Sequence, residues 1–210
     1  MVVLVHGLGV GQRYFEPLAR ELGGELLRPE FREPATIAEL GSRLGELLDT
    51  PAALVANSMG CQIATALAVQ RPELVASLAL IGPTVDSQTH SLVRHVFRLA
   101  ADAWFEPFRL TGIVLADYAR FGPLALLRQA RYALDDRIEE RLPRLDVPAV
   151  VIRGIHDQIC PPRWAQEAAA LLPQGRLVTI GGAAHTPHFS HPREVADAIR
   201  ALPGIPAARG

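Results

Sequence analysis

The stretch Leu54-Val55-Ala56-Asn57-Ser58-Met59-Gly60-Cys61 runs from an apolar strand pattern into small-x-Ser-x-Gly and then into an Ala-rich helical pattern. A serine hydroxyl is a weak nucleophile near neutral pH unless it is held exposed, beside a base and beside donors for the charge that develops on its target. A sharp strand-to-helix turn meets that need by lifting the side chain out at the carboxyl edge of a sheet. Such a turn requires small residues two before and two after the serine. Ala56 and Gly60 stand at those positions. The plainer role for Ser58 is that of a helix cap, which serine also favours.

Three other segments have matching placement. His6-Gly7 follows the apolar run Val2 to Val5, Asp157 follows the run Val147 to Ile152, and His185 follows the run Leu177 to Ile180. Each sits just past the carboxyl end of an expected strand, where open α/β sheets place their ligand sites.

Taken together, His6-Gly7-Leu8-Gly9, Ala56-Asn57-Ser58-Met59-Gly60, Gly154-Ile155-His156-Asp157 and Gly182-Ala183-Ala184-His185 resemble the signature set of the α/β-hydrolase family, over residues 2–202. The chain order nucleophile, acid, histidine is also that family's. The resemblance implies a catalytic triad of Ser58, Asp157 and His185, an oxyanion hole formed by the backbone N–H groups of Leu8 and Met59, and no cofactor. His185 would take the serine proton and return it to the leaving group, while Asp157 holds its tautomer. Asp86, which follows the run ending at Ile81, is the rival acid; the Gly154-to-Asp157 turn ahead of Pro161 favours Asp157. His188 and His191 raise a metal alternative to His185. Pro187 and Pro192 argue against a regular histidine-bearing helix there, and no metal is expected. His6 is expected to be structural.

The family resemblance also implies two strands ahead of the one ending at His6, whereas Met1 directly precedes it here. A shortened fold and a misassigned start are both compatible with that. The run near Leu26-Leu27 is then expected at a sheet edge.

Length and composition fit this picture. A chain of 210 residues, 49% of them hydrophobic, can bury a substantial single core. The net charge of −1 gives no electrostatic case for nucleic acid or an anionic membrane as partner. All 21 basic residues are arginine, which excludes lysine Schiff-base and phosphate-loop lysine chemistry. Two cysteines are too few for a disulfide framework. With no charged leader and no run approaching the roughly 18 apolar residues of a membrane helix, a soluble cytoplasmic protein is expected.

Strand patterns at 2–5, 24–28, 52–56, 75–81, 149–153 and 176–180 alternate with helical patterns near 13–22, 35–49, 59–70, 162–172 and 192–202. Such alternation predicts a mostly parallel sheet of about six strands with helices on both faces. Residues 86–143 interrupt it with helical spacing alone. They are read as a helical cap inserted into a core domain made of residues 1–85 and 144–210. Phe97, Trp104, Phe105 and Phe108 of that segment, with Phe15 of the core, are the expected lining of an apolar pocket, although ordinary packing explains any one of them as well.

The resulting expectation is a serine hydrolase that cleaves an apolar carboxylic ester or related small acyl substrate through an acyl-enzyme. The close rival is a carbon–carbon bond hydrolase of a ring-fission dienone acid, which the elbow also resembles and which would need a pocket arginine such as Arg94, Arg98 or Arg109 to face Ser58. Cofactor-free haloperoxidase or perhydrolase activity, and a non-catalytic hydrolase-like receptor, complete the alternatives.

Overall fold

The computed structural model describes residues 1–88 and 91–205, less the side chains of Leu92, Arg94 and His95. Six strands, β1 (Val2–Val5), β2 (Leu26–Leu27), β3 (Ala52–Asn57), β4 (Val75–Ile81), β5 (Ala149–Gly154) and β6 (Gly175–Ile180), form one sheet. Their order is β2-β1-β3-β4-β5-β6, and every pairing is parallel. Parallel neighbours need long crossovers. Helices α1 (Glu16–Leu22), α2 (Ile37–Gly45) and α3 (Met59–Gln70) connect the first strands. The segment between β4 and β5 contains α4 (Leu92–Ala103), α5 (Phe108–Phe121), α6 (Pro123–Asp135) and α7 (Ile138–Arg141). Helices α8 (Pro162–Leu171), α9 (Pro187–Ser190) and α10 (Pro192–Ile199) complete the chain.

The inner strands read as unbroken apolar runs because both faces of the sheet are covered. Side-chain alternation sorts them. Val3, Leu54, Leu80 and Val151 join one core with Leu40, Leu67 and Trp164 of α2, α3 and α8. Leu4, Val55, Ile81 and Ile152 join the other with Leu18 and Ile199 of α1 and α10. Each fully buried leucine or isoleucine contributes about 1.5–3 kcal/mol, so the two cores hold all the strand ends in register. β2 lies at the sheet edge, as expected. It is shorter than the run 24–28 because only one side of it is paired and Pro29, which lacks a backbone donor, follows closely.

Boundary differences are local. The expected helix 13–22 divides into a 3₁₀ turn, Gln12–Phe15, and α1. Helix α2 starts two residues later than expected, where the Thr36 hydroxyl accepts the Glu39 N–H and the Glu39 carboxylate accepts the Thr36 N–H. Gly122 and Pro123 break α5 from α6, which bend by 99°. No single described helix is long and apolar enough to cross a membrane.

Candidate active site

Ser58 stands between the end of β3 and the start of α3 with φ +56° and ψ −126°. It is the one non-glycine residue with positive φ among the described residues. Conformations of this kind cost about 1–3 kcal/mol and persist only where the surroundings impose them. Here the Ser58 N–H donates to the Ile81 carbonyl on β4 and the Ser58 carbonyl accepts the Cys61 N–H, both at 2.9 Å. Gly60 is required by close approach: a methyl at that position would lie 2.3 Å from the Val5 carbonyl oxygen and 2.8 Å from that of His6. Ala56, by contrast, is accommodated as a fully buried side chain. Ser58 is half-buried and lines a cavity of about 640 Å³.

Asp157 and His185 meet from the loops after β5 and β6, with His185 Nδ1 3.0 Å from Asp157 Oδ2. The other carboxylate oxygen accepts the N–H groups of Ile159 and Cys160, each at 2.8 Å. Arg153 at the end of β5 donates to the carbonyls of Cys160, Asp157 and Ile155 at 3.1, 3.2 and 3.3 Å, which stiffens the same loop. The acid thus has a single orientation. With Nδ1 directed to Asp157, His185 lines the same cavity as Ser58. Nε2 is buried and has no hydrogen-bond partner, so it makes no hydrogen bond to Ser58. In free enzymes such bonds are often long and tighten once substrate binds. Burial pulls the His185 pKa down, but Asp157, followed by Asp102 and Glu106, outweighs it and lifts the value to about 9.

Asp86 takes a different position. It accepts the Gln88 N–H at 3.1 Å and pairs with Arg98 at 3.2 Å and with Arg163. Burial raises its pKa, yet the Gln88 amide and these arginines together hold the carboxyl below its ordinary range. It is committed to joining α4 and α8, and His185 bonds Asp157.

Leu8 and Met59 both line the cavity beside Ser58. Met59 opens α3, so its N–H belongs to the first turn, where amides lack partners inside the helix. The neighbouring Gly7 N–H donates to the Tyr14 hydroxyl at 2.7 Å, and that hydroxyl donates to Asn57 Oδ1 at 3.1 Å. Asn57 Nδ2 in turn reaches the carbonyls of Ile81 and His185 at 3.1 and 3.2 Å. One buried network therefore ties together the loop after β1, the elbow and the histidine loop. Sequence reading missed Tyr14 and Asn57, because each looks like an ordinary core or turn residue until the strands are aligned. It also missed Gly82, where a side chain would begin 2.8 Å from the His185 ring and 3.1 Å from Asp157.

The cavity is apolar, but the expected aromatic residues do not line it. Phe97, Trp104 and Phe108 are 71%, 88% and 95% exposed. Phe105 stacks on His156 at 5.2 Å, outside the cavity, and Phe15 is buried in the core against Tyr14 and His188. The reason is helical phase: α4, α5 and α6 turn aliphatic residues inward, among them Leu99, Leu110, Val114, Leu126 and Leu127. Arg98 is paired with Asp86, Arg109 is exposed, and the Arg94 side chain lies outside the described residues. The polar groups that do reach the cavity include Asp102 and Glu106, neither singled out in the sequence.

The other histidines have separate surroundings. His6 Nδ1 is 2.8 Å from the Gly7 carbonyl, and its Nε2 accepts the Phe31 N–H at 2.9 Å. His188 is fully buried, with ring centroids 4.6 Å from Tyr14 and 4.4 Å from Phe15 and no partner for either nitrogen. His191 Nδ1 lies 2.9 Å from the Ser190 hydroxyl oxygen. Among the described residues, no group of three or more His, Cys, Asp or Glu side chains is arranged to hold a metal ion.

Comparison with known proteins gives the family of the fold. A family model described as "Alpha/beta hydrolase family" matches residues 2–198. A pimeloyl-[acyl-carrier protein] methyl ester esterase of Neisseria meningitidis serogroup C is 29% identical, over 96% of this chain and 91% of its own length. The crystal structure of the putative non-heme bromoperoxidase BpoC of Mycobacterium tuberculosis superposes with a TM-score of 0.75 at 24% identity, covering 96% of this chain and 90% of that one. An esterase from Exiguobacterium antarcticum gives a TM-score of 0.77 at 17% identity, over 94% and 89%.

Proposed function

The chain belongs to the α/β-hydrolase family, and from that premise we propose that it is a serine esterase acting on small esters with apolar acyl chains. The observation that carries this reading is the Asp157–His185 contact at 3.0 Å, with the strained Ser58 on the same apolar cavity. Ser58 attacks the ester carbonyl as His185 Nε2 takes its proton, and the resulting oxyanion lies against the N–H groups of Leu8 and Met59. Loss of one such donor typically raises the barrier by about 2.7–4 kcal/mol. The imidazolium, steadied by Asp157, protonates the departing alkoxide oxygen. Water then enters and loses a proton to His185 as it adds to the acyl carbon, and the imidazolium returns that proton to Ser58 Oγ as the acyl–oxygen bond breaks and the acid leaves.

Helices α4 to α6 act as a cap over this chamber, their aliphatic inner faces receiving the acyl chain. The Neisseria relative, named for a methyl ester on a carrier-bound acyl chain, supports a small alcohol leaving group and an extended acyl portion. The dienone-acid alternative needs a cation for the substrate carboxylate. No arginine lines the cavity among the described residues, and two acids do, which favours the ester.

A fluorophosphonate probe is expected to label Ser58, and Ser58→Ala to abolish both labelling and p-nitrophenyl ester turnover. Labelling without turnover of any ester would instead favour a receptor.

A further inference from the structure

Two carboxyl groups intrude on the largely apolar chamber, one at the end of α4 and one in the turn that follows it. Asp102 is 3% exposed; its Oδ1 accepts the Gln158 N–H at 3.1 Å, and its Oδ2 takes no hydrogen bond from a described residue. Glu106 accepts the N–H and the hydroxyl of Thr186, both at 2.7 Å. Each acid is thus fastened to the residue that follows a member of the Asp157–His185 pair. That anchoring holds both carboxyls beside the reacting centre. No arginine lines the cavity among the described residues to offset them. Burial raises both pKa values, Asp102 to about 7. Below about pH 9 the His185 imidazolium and the Asp157 carboxylate offset one another, so at mildly alkaline pH the two further carboxylates leave the chamber with surplus negative charge.

We propose that Asp102 and Glu106 restrict the site to uncharged esters, so that it discriminates against substrates bearing a carboxylate and drives out the carboxylate that its own reaction makes. This rests on the esterase reading above and adds a charge rule to it. Hydrolysis converts a neutral ester and water into a carboxylate, an alcohol and a proton. The acyl product acquires its negative charge as the bond to Ser58 Oγ breaks. A group that entered without opposition then lies near like charges in a poorly screened space, where repulsion is strong.

The test compares kcat/KM for dimethyl adipate and monomethyl adipate in the wild type, Asp102→Asn, Glu106→Gln and the double variant at pH 8. The wild type is expected to favour the diester by roughly 100-fold, the ratio that one like-charge contact in a partly screened site produces. The double variant is expected to lose most of that ratio, chiefly by gaining on the monoester. A wild-type ratio no larger than the statistical advantage of carrying two ester groups overturns the proposal. So does a ratio that stays unchanged in a double variant with a native circular dichroism spectrum. A merely structural role would lower both rates together and leave the ratio where it was. Calorimetric binding to Ser58→Ala separates this proposal from the esterase reading: methyl hexanoate is expected to bind more tightly than hexanoate. Equal or tighter binding of hexanoate overturns the charge rule. Failure of the wild type to hydrolyse any ester, with that binding preference intact, would sink the esterase reading alone.

Discussion

Ser58 occupies a backbone conformation that every residue except glycine resists. Its replacement by glycine should therefore relieve strain as it removes the proposed nucleophile. Ser58→Gly is expected to melt a few degrees above the wild type while losing ester turnover, which scanning calorimetry and an activity assay would establish together. The proposed base gives a second expectation. Only the neutral imidazole accepts the serine proton, and the His185 pKa stands at about 9 because Asp157, with Asp102 and Glu106, outweighs the effect of burial. The kcat/KM profile should accordingly keep rising up to about pH 9, well above the ordinary imidazole range. A plateau reached by pH 7 would contradict it. Asp157→Asn, which leaves His185 without its charged partner, is expected to lower kcat by about 10⁴-fold, whereas Asp86→Asn should act mainly on stability through Arg98 and Arg163.

Elements act on the site through their ends. Tyr14, in the 3₁₀ turn ahead of α1, links the Gly7 N–H to Asn57, and Asn57 links β3 to the histidine loop. Tyr14→Phe would leave a buried N–H and a buried carbonyl without partners. That loss is expected to reduce stability by about 1–3 kcal/mol and to lower kcat as the loop bearing Leu8 loosens; urea titration and steady-state kinetics would measure both. The proposed triad was legible in the sequence because each member sits in a short turn directly after an apolar run. Strand ends of one parallel sheet share an edge, so reading the runs correctly also assembles the candidate site. Asp102 and Glu106 carried no such signal. An acid at or just beyond a helix end reads as solvated, and only the fold brings these two onto Gln158 and Thr186, 56 and 80 residues away. The pocket lining failed for a related reason. In helices amphipathic on more than one side, composition does not reveal which face turns inward, and bulk suggested the aromatics where the aliphatics were used.

The stability of the whole molecule should depend on pH through buried histidines of opposite sign, His185 on one side and His188 with His6 on the other. His185 has a raised folded-state pKa, so its contribution is complete below about 6.5 and is lost as pH rises through about 9. His188 is the reverse: burial among Tyr14 and Phe15 holds its pKa well below the ordinary value. Its contribution is present above about 6.5, and the penalty for charging it grows as pH falls below that point. His188→Phe is expected to flatten the decline in urea midpoint between pH 7 and pH 5; an unchanged slope would assign the acid sensitivity elsewhere. Cys61 and Cys160 are both fully buried, and burial pushes their thiols well above the ordinary range. Folded protein should thus ignore maleimides, leaving the surface silent to sulfur-directed dyes. A single cysteine installed at the exposed Trp104 position would then be the one reactive handle, and a fluorophore there would test whether the proposed cap shifts when an ester is added.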